Sequence, residues 1–405
     1  MAPSSCTTSS MESPMSQFND QSRSLVALDQ DSTLIAVIEM SQSRWLVGGL
    51  VPGLSREPEK KLVPGSAGLL GLLHRWRDEA AKARRPIERI CVAYEAGRDG
   101  FWLARWLRQR GVECHVIHPT SIPVSREHRR AKTDRLDLGL LKRAFLGWLR
   151  GEAKHCSMAA IPSLAEEDAR RAHRERRTLG GEATRIVNRL KSSLARLGIC
   201  GFNPKLRNAA ARLGELRTGE GEAVPPLSLA ELGRELTRLA LVRAQIRQIE
   251  ADRQRRLAAA PDIPAHRMTA HLAQVHGLGV ETAELLATET FSRHLRDQRA
   301  VARYAGLTGA PDESGARRRE KGLARAGNAR VRHATIQLAW RFLKFQPHSA
   351  LAQWYRERTR DGRSDIRKTM IVALARKLLI ALWRLVTTGE VPEGVILRAP
   401  MPATN

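Results

Sequence analysis

Four carboxylates stand out by where they fall relative to apolar runs. Glu39 closes LIAVIE (34–39), Glu95 follows ICVAY (90–94), and Asp134 and Asp137 lie three residues apart, on one face of a helix if that segment is helical. Hard cations want carboxylate oxygens, and two Mg²⁺ ions roughly 4 Å apart can activate an attacking oxygen while stabilising a leaving one. Each residue also has a plainer reading. Asp134 and Asp137 suit the solvated N-terminus of a helix, where the macrodipole favours negative charge. Glu95 alone fits a loop. Glu39 is the odd one, because a carboxylate that ends an apolar strand is costly without a partner.

These positions need a scaffold, and the hydrophobic pattern supplies one. Residues 34–39 and 44–51 read as a β-hairpin, 61–63 as a third strand, and 66–84 as an amphipathic helix with Leu69, Leu72, Leu73 and Trp76 on one face. A strand at 89–94, a helix at 100–110, a strand at 113–117 and a helix at 133–149 follow. The order β-β-β-α-β-α-β-α resembles the ribonuclease-H-like layout, a mixed sheet whose first three strands are antiparallel. Beyond Pro162 the pattern turns helical, with long Leu-punctuated segments at 165–197 and 227–259 that predict an antiparallel helical hairpin or coiled coil. Pro261–Pro264 reads as a hinge into a C-terminal helical domain. The expected fold class is therefore α/β plus all-α. Its divisions are a disordered tail (1–30), an α/β domain (31–155), a helical or coiled-coil linker (156–265), a C-terminal domain (266–390) and a short tail (391–405).

Charge points to the partner. Among 405 residues, Lys and Arg number 68 against 42 Asp and Glu, a net +26 that calls for a polyanion, most commonly nucleic acid. Five cysteines without CxxC spacing argue against a disulfide framework or structural zinc and fit a reducing compartment. The Ser/Thr-rich start lacks the apolar core of a signal peptide, and Arg376, Lys377 and Arg384 interrupt the most apolar late stretch. The expectation is a soluble bacterial cytoplasmic protein associated with the nucleoid.

The positive charge is concentrated. Residues 313–332 hold seven basic residues (Arg317, Arg318, Arg319, Lys321, Arg325, Arg330 and Arg332). Residues 170–196 hold nine, Arg174, Arg176, Arg177 and Lys191 among them, and 126–150 is basic too. A solvated helix face is the usual explanation of such runs, but the excess of one sign favours phosphate contact. With 4% aromatic residues, stacking platforms cannot dominate and binding should be mostly backbone-directed. HGLGVETAELLA (276–287) has the form of a helix-hairpin-helix, in which Gly277 and Gly279 permit a tight turn before a helix N-terminus that could meet a phosphate. A plain αα-hairpin fits it equally. His115 and His118 read as strand-end or core residues.

Specific segments carry a family likeness. VIEMSQSRWLVGGLVPG, VAYEAGRDGFWLARWLRQRGVECHVIHP and RRAKTDRLDLGLL resemble the RuvC-like domain of the IS-one-ten transposases, DEDD-type enzymes that move bacterial insertion sequences. HRERRTLGGEATRIVNRLKSSLARLGI is similar to that family's linking helical segment. VHGLGVETAELLATE and YAGLTGAPDESGARRREKGLARAGNARVRHATIQLAW are similar to its second conserved domain. The likeness runs in order from about Leu34 to Val386.

The resemblance implies roles. Glu39, Glu95, Asp134 and Asp137 would be the tetrad that binds Mg²⁺, two ions by the chemistry above, and Ser314 the nucleophilic serine of a Ser-Gly pair. It further implies double-stranded DNA as substrate, a structured guide RNA, and composite active sites in a homo-oligomer (dimer or tetramer). One departure is Glu39, where the family usually has Asp; the longer side chain changes its reach. Without the resemblance Ser314 reads as a turn serine. Three functions stay open: a transposase or recombinase working through a phosphoserine link, a Mg²⁺-dependent RuvC-like nuclease using water, and a non-catalytic nucleic-acid-binding relic.

Overall fold

Apolar residues on both faces of two strands set the first half of the molecule. In β1 (Thr33–Met40), Leu34, Ala36 and Ile38 point to one side and Ile35 and Val37 to the other, all buried. A strand of this kind must be covered twice. The computed structural model describes residues 23–97, 100–122, 133–152, 155–293, 295–314, 317–323, 326–360 and 362–398. The tail expected at 1–30 lies mostly outside them, as do the residues after 398. The chain divides into two compact units at Ser163/Leu164.

The first unit is a mixed sheet between helices. After β1 come β2 (Trp45–Leu50), β3 (Glu59–Leu62), α1 (Ser66–Lys82), β4 (Arg89–Glu95), α2 (Trp102–Arg108), β5 (Glu113–Ile117) and α3 (Asp134–Leu149). The strand order is β3-β2-β1-β4-β5. The first three strands are antiparallel, and β1, β4 and β5 run parallel. The element order read from the sequence holds throughout, with ends that coincide or differ by at most two residues. One face packs on α1 and α2 through Leu69, Leu73 and Leu103; the other packs on α3 through Leu138, Leu141 and Phe145. Cys91, Cys114 and Cys156 are buried, and burial pushes each thiol up to about 12. They are inert core residues.

The second unit begins with α4 (Leu164–Ala169), α5 (Arg171–Arg196), α6 (Ala209–Arg212) and α7 (Pro226–Ala259). Arg176 pairs with Glu250 and Arg189 with Glu235, so residues advancing along α5 meet residues receding along α7. The predicted antiparallel hairpin is present, with Ile186, Leu190 and Leu194 packed on Leu232, Leu236 and Leu239. The single helix expected over 165–197 is interrupted at Arg170, whose buried guanidinium donates to the Thr288 carbonyl (3.2 Å).

The remainder comprises α8 (Pro264–Ala273), α9 (Val280–Leu286), α10 (Gln298–Tyr304), β6 (Gly309–Ser314), β7 (Arg317–Leu323), α11 (Ala329–Phe345), α12 (Ala350–Arg358) and α13 (Ser364–Thr388). It gathers around Ile371, Leu374, Leu378 and Leu382 of α13. The antiparallel pair β6–β7 corrects the expectation of a purely helical C-terminal region. Residues 309–323 are mostly charged or small, so no apolar alternation marks the strands. None of the described helices is long and apolar enough to cross a membrane.

Candidate active site and nucleic-acid interface

Register brings two of the four carboxylates together. In the parallel pair β1–β4 the last registered residues are Ile38 and Tyr94. One step further along both strands stand Glu39 and Glu95, on strands spaced about 4.8 Å apart. Both have the parity of Ile35, Val37, Cys91 and Ala93, the residues that face α3. Glu39 is half-buried and Glu95 exposed.

α3 carries the other two. Thr133 caps it by accepting from the Leu136 N–H (3.3 Å), and Asp134 and Asp137 fill its first turn, where the dipole favours them. Arg135 pairs with Glu59 (3.2 Å) and the Lys142 ammonium with Glu57 (2.7 Å), fixing the helix against the β2–β3 side of the sheet. Asp134 lines an open cleft of about 750 Å³ with Arg44, Glu57, Glu59 and Leu46. Leu46 is registered with Glu39, so the first turn of α3 and the two glutamates belong to one face and one end of the sheet. They do not form a single shell. Among the described residues, no three His, Cys, Asp or Glu side chains are gathered closely enough to hold a metal ion.

Ser314 ends β6. Its registered partner is Arg317, the first residue of β7, while Glu313 stands against Arg318 and Asp312 against Arg319. The side chains of 310–314 and 317–321 lie outside the description, as does Arg325 altogether. At the base of this hairpin backbone packs on backbone. Gly306 (φ 65°) and Gly327 (φ 96°) lie where the two legs cross; a Cβ on Gly327 would stand 2.6 Å from the Arg303 and Tyr304 carbonyl oxygens. Asn328 then caps α11 through its Oδ1, and its Nδ2 donates to Glu289 Oε2 (3.3 Å) and the Tyr304 hydroxyl (3.2 Å).

Glu289 is a buried hub that sequence reasoning missed. It is 2% exposed, within a π-helical turn (Ala287–Phe291) of the kind that often marks functional positions. Arg174 donates to its Oε1 at 2.8 Å, and His173 Nε2 lies 3.2 Å from the same oxygen. Burial alone would raise this carboxyl; the hydrogen bonds from His173 and Arg174 outweigh it and hold the pKa at about 2. The available signal was a carboxylate inside an apolar helical run, which demands a partner.

Residues 269–355 match the family model described as Transposase IS116/IS110/IS902 family. Over 374 residues the chain is 44% identical to the protein y4rJ of Sinorhizobium fredii, whose name describes it as a transposase; the match covers 90% of this chain and 94% of the relative. The chain belongs to this transposase family. The matched stretch of the family model contains Glu289, Ser314 and Asn328, and so takes in the whole β6–β7 hairpin and its anchor.

The cations of this transposase-family chain fall into two sets. Arg174 is bound to Glu289, and Arg176 bridges Glu250 (2.8 Å) and Glu281 (3.0 Å), so both are spent on internal ion pairs. Arg177, Lys191 and Arg330 are exposed and Arg332 is half-buried. Arg317, Arg318, Arg319 and Lys321 occupy β7. Between α8 and α9, Gly277 takes φ 91°, and a Cβ there would stand 2.7 Å from Phe345 Cβ; glycine is needed for the turn and its packing. Gly279 has an ordinary φ of −82°. His115, half-buried, bonds Glu113 (2.7 Å) and packs on Trp148.

Proposed function

We propose that this transposase cuts and rejoins DNA by phosphoryl transfer, using an acidic metal site in a ribonuclease-H-like (RuvC-like) domain and Ser314 as nucleophile. The observation that carries the reading is the β1–β4 register, which sets Glu39 beside Glu95 on the face covered by α3. The strand order β3-β2-β1-β4-β5, three strands antiparallel and the rest parallel, supports the ribonuclease-H-like assignment. The transposase name of the relative supports DNA as substrate and recombination as outcome.

The donor set suits Mg²⁺, since Glu39, Glu95, Asp134 and Asp137 offer only carboxylate oxygens. Bound there, one or two ions would polarise the phosphate and activate the attacking oxygen. The chain's own residues do the rest. The Thr133 cap and the Lys142–Glu57 pair hold the first turn of α3 on the glutamates' side. The Ser314 hydroxyl attacks phosphorus and releases one strand end, and the incoming strand's hydroxyl later displaces the serine. Arg317, registered opposite Ser314, is the nearest cation in sequence register for the developing charge. Using carboxylates and serine together requires the two units to meet, within one chain or across a homo-oligomer.

A helix-hairpin-helix made by α8 and α9 and a structured guide RNA belong to the same proposal. The low aromatic content supports it, since backbone-directed binding leaves sequence choice to base pairing. The test is strand exchange on a donor–target DNA pair with Mg²⁺. Ser314→Ala abolishes exchange and keeps DNA binding; Glu95→Gln abolishes cleavage. Normal recombination by Ser314→Ala defeats the nucleophile assignment. Cleavage by that variant with free ends accumulating identifies a water-using nuclease instead.

A further inference from the structure

We infer that the exposed face of α11 is a track for a single-stranded polynucleotide, whose phosphates meet Arg330, Arg341 and Lys344 and one of whose bases stacks on Trp340. The inference deepens the reading of the protein as a DNA-rearranging enzyme, which must handle separated strands, and it names the surface that holds them.

The face is set by helical geometry. Val331, Thr335, Leu338, Ala339 and Phe342 are buried, while Arg330, His333, Gln337, Trp340, Arg341 and Lys344 are exposed. At 100° per residue these six fall within about 100° of the helix circumference, and from first to last they span about 21 Å. No Asp or Glu occurs anywhere in α11.

Unlike Arg174, Arg176 and Arg189 of α5, these cations are not consumed by carboxylates. Arg341 donates to the Thr282 hydroxyl (3.2 Å) and Lys344 lies over the Phe345 ring (5.6 Å); among the described residues neither forms an ion pair, and nor does Arg330. Glu250 and Glu281, which line a cleft with Arg341, are both held by Arg176. Arg177 of α5 stands close to the stripe, since partial burial and then its positive charge lower the pKa of His333.

Trp340 decides between a duplex and a single strand. It is 47% exposed and braced edge-on by Tyr355 (6.4 Å between ring centroids), so a rigid indole stands among cations with surface to spare. Aromatic rings interleaved with cations along a groove or ridge take unpaired bases, whose π-faces a duplex hides. The stripe begins two residues after Asn328, the cap that is tied to the base of the Ser314 hairpin, so a strand on this track leads toward the serine-bearing segment.

The experiment is a fluorescence-anisotropy titration of the full chain with a labelled mixed-sequence 20-mer, as single-stranded DNA, single-stranded RNA and duplex DNA, at several salt concentrations. Arg330→Gln/Arg341→Gln/Lys344→Gln lowers the slope of log K against log salt on single strands by about 2, at ~0.7 per phosphate. Arg341→Gln alone lowers it by about 0.7. Trp340→Ala weakens single-strand binding about ten-fold and leaves the slope unchanged. A control, Lys205→Gln/Arg207→Gln/Arg212→Gln, keeps the wild-type slope and affinity; all three positions are exposed near α6. The two single variants preserve the test if the triple variant melts early by circular dichroism. The track is overturned if the α11 variants bind single strands as the wild type does, if the control loses as much, or if only duplex binding falls. In those cases the unaltered protein still binds and recombines DNA, so the broader reading stands; a wild type that binds no polynucleotide fails both.

Discussion

α5 and α11 both carry several basic residues in the same unit of the protein, and Arg174, Arg176 and Arg189 of the first use their charge in the opposite way to Arg330, Arg341 and Lys344 of the second. Along α5, Arg174 and Arg176 bond to Glu289, Glu250 and Glu281, and Arg189 bonds to Glu235. Along α11, Arg330, Arg341 and Lys344 find no carboxylate among the described residues. The same residue type therefore builds the fold in one place and a surface for phosphate in the other. Net charge identifies a partner class; only the pairing identifies the surface.

Removing the hub is the severest way to break this comparison. Glu289→Gln leaves the buried His173 and the half-buried Arg174 without their anion and should cost about 3–5 kcal/mol, read as a lower midpoint of urea unfolding. No such loss would mean that α5 is as free as α11.

Acid should act on the same hub. The Glu289 carboxyl titrates at about 2 in the folded protein against an ordinary 4.5. Its contribution is full above about 4.5 and is lost as pH falls from there through about 2. Urea unfolding at pH 5 and pH 3 should show a drop for the wild type that is smaller in Glu289→Gln by this group's share. Equal drops would place the acid sensitivity elsewhere.

The smallest effect is the sharpest contrast. Arg174→Gln removes charged hydrogen bonds to Glu289 and should destabilise by about 1.5–3 kcal/mol. Arg341→Gln, on the open face, should stay within about 0.5 kcal/mol of the wild type. Thermal unfolding of the pair checks it; similar losses would erase the distinction between structural and available cations.

What the sequence made legible follows from which interactions are local. β1 and β4 were readable because strands covered on both faces are continuous apolar runs, and Glu39 and Glu95 were conspicuous because each ends one. The α5–α7 hairpin was readable from Leu spacing. The β6–β7 pair was not, since its strands are held by backbone bonds between charged residues. Nor was the Glu289 hub, because Arg174 lies 115 residues away and nothing in either segment names the other. Arg176 looked like a phosphate ligand for the same reason: its two carboxylates come from α7 and α9, distant in the chain.

The crossing of Gly306 and Gly327 makes the Ser314 hairpin a bracket rather than a hinge. Backbone meets backbone there with no side chain between, and Asn328 bolts the junction to Tyr304 and Glu289. A pull on the first turn of α11 is thus passed to the root of the hairpin instead of being absorbed by a yielding loop. Even an alanine at Gly327 would prise the two legs apart and leave the serine-bearing arm without a fixed mounting.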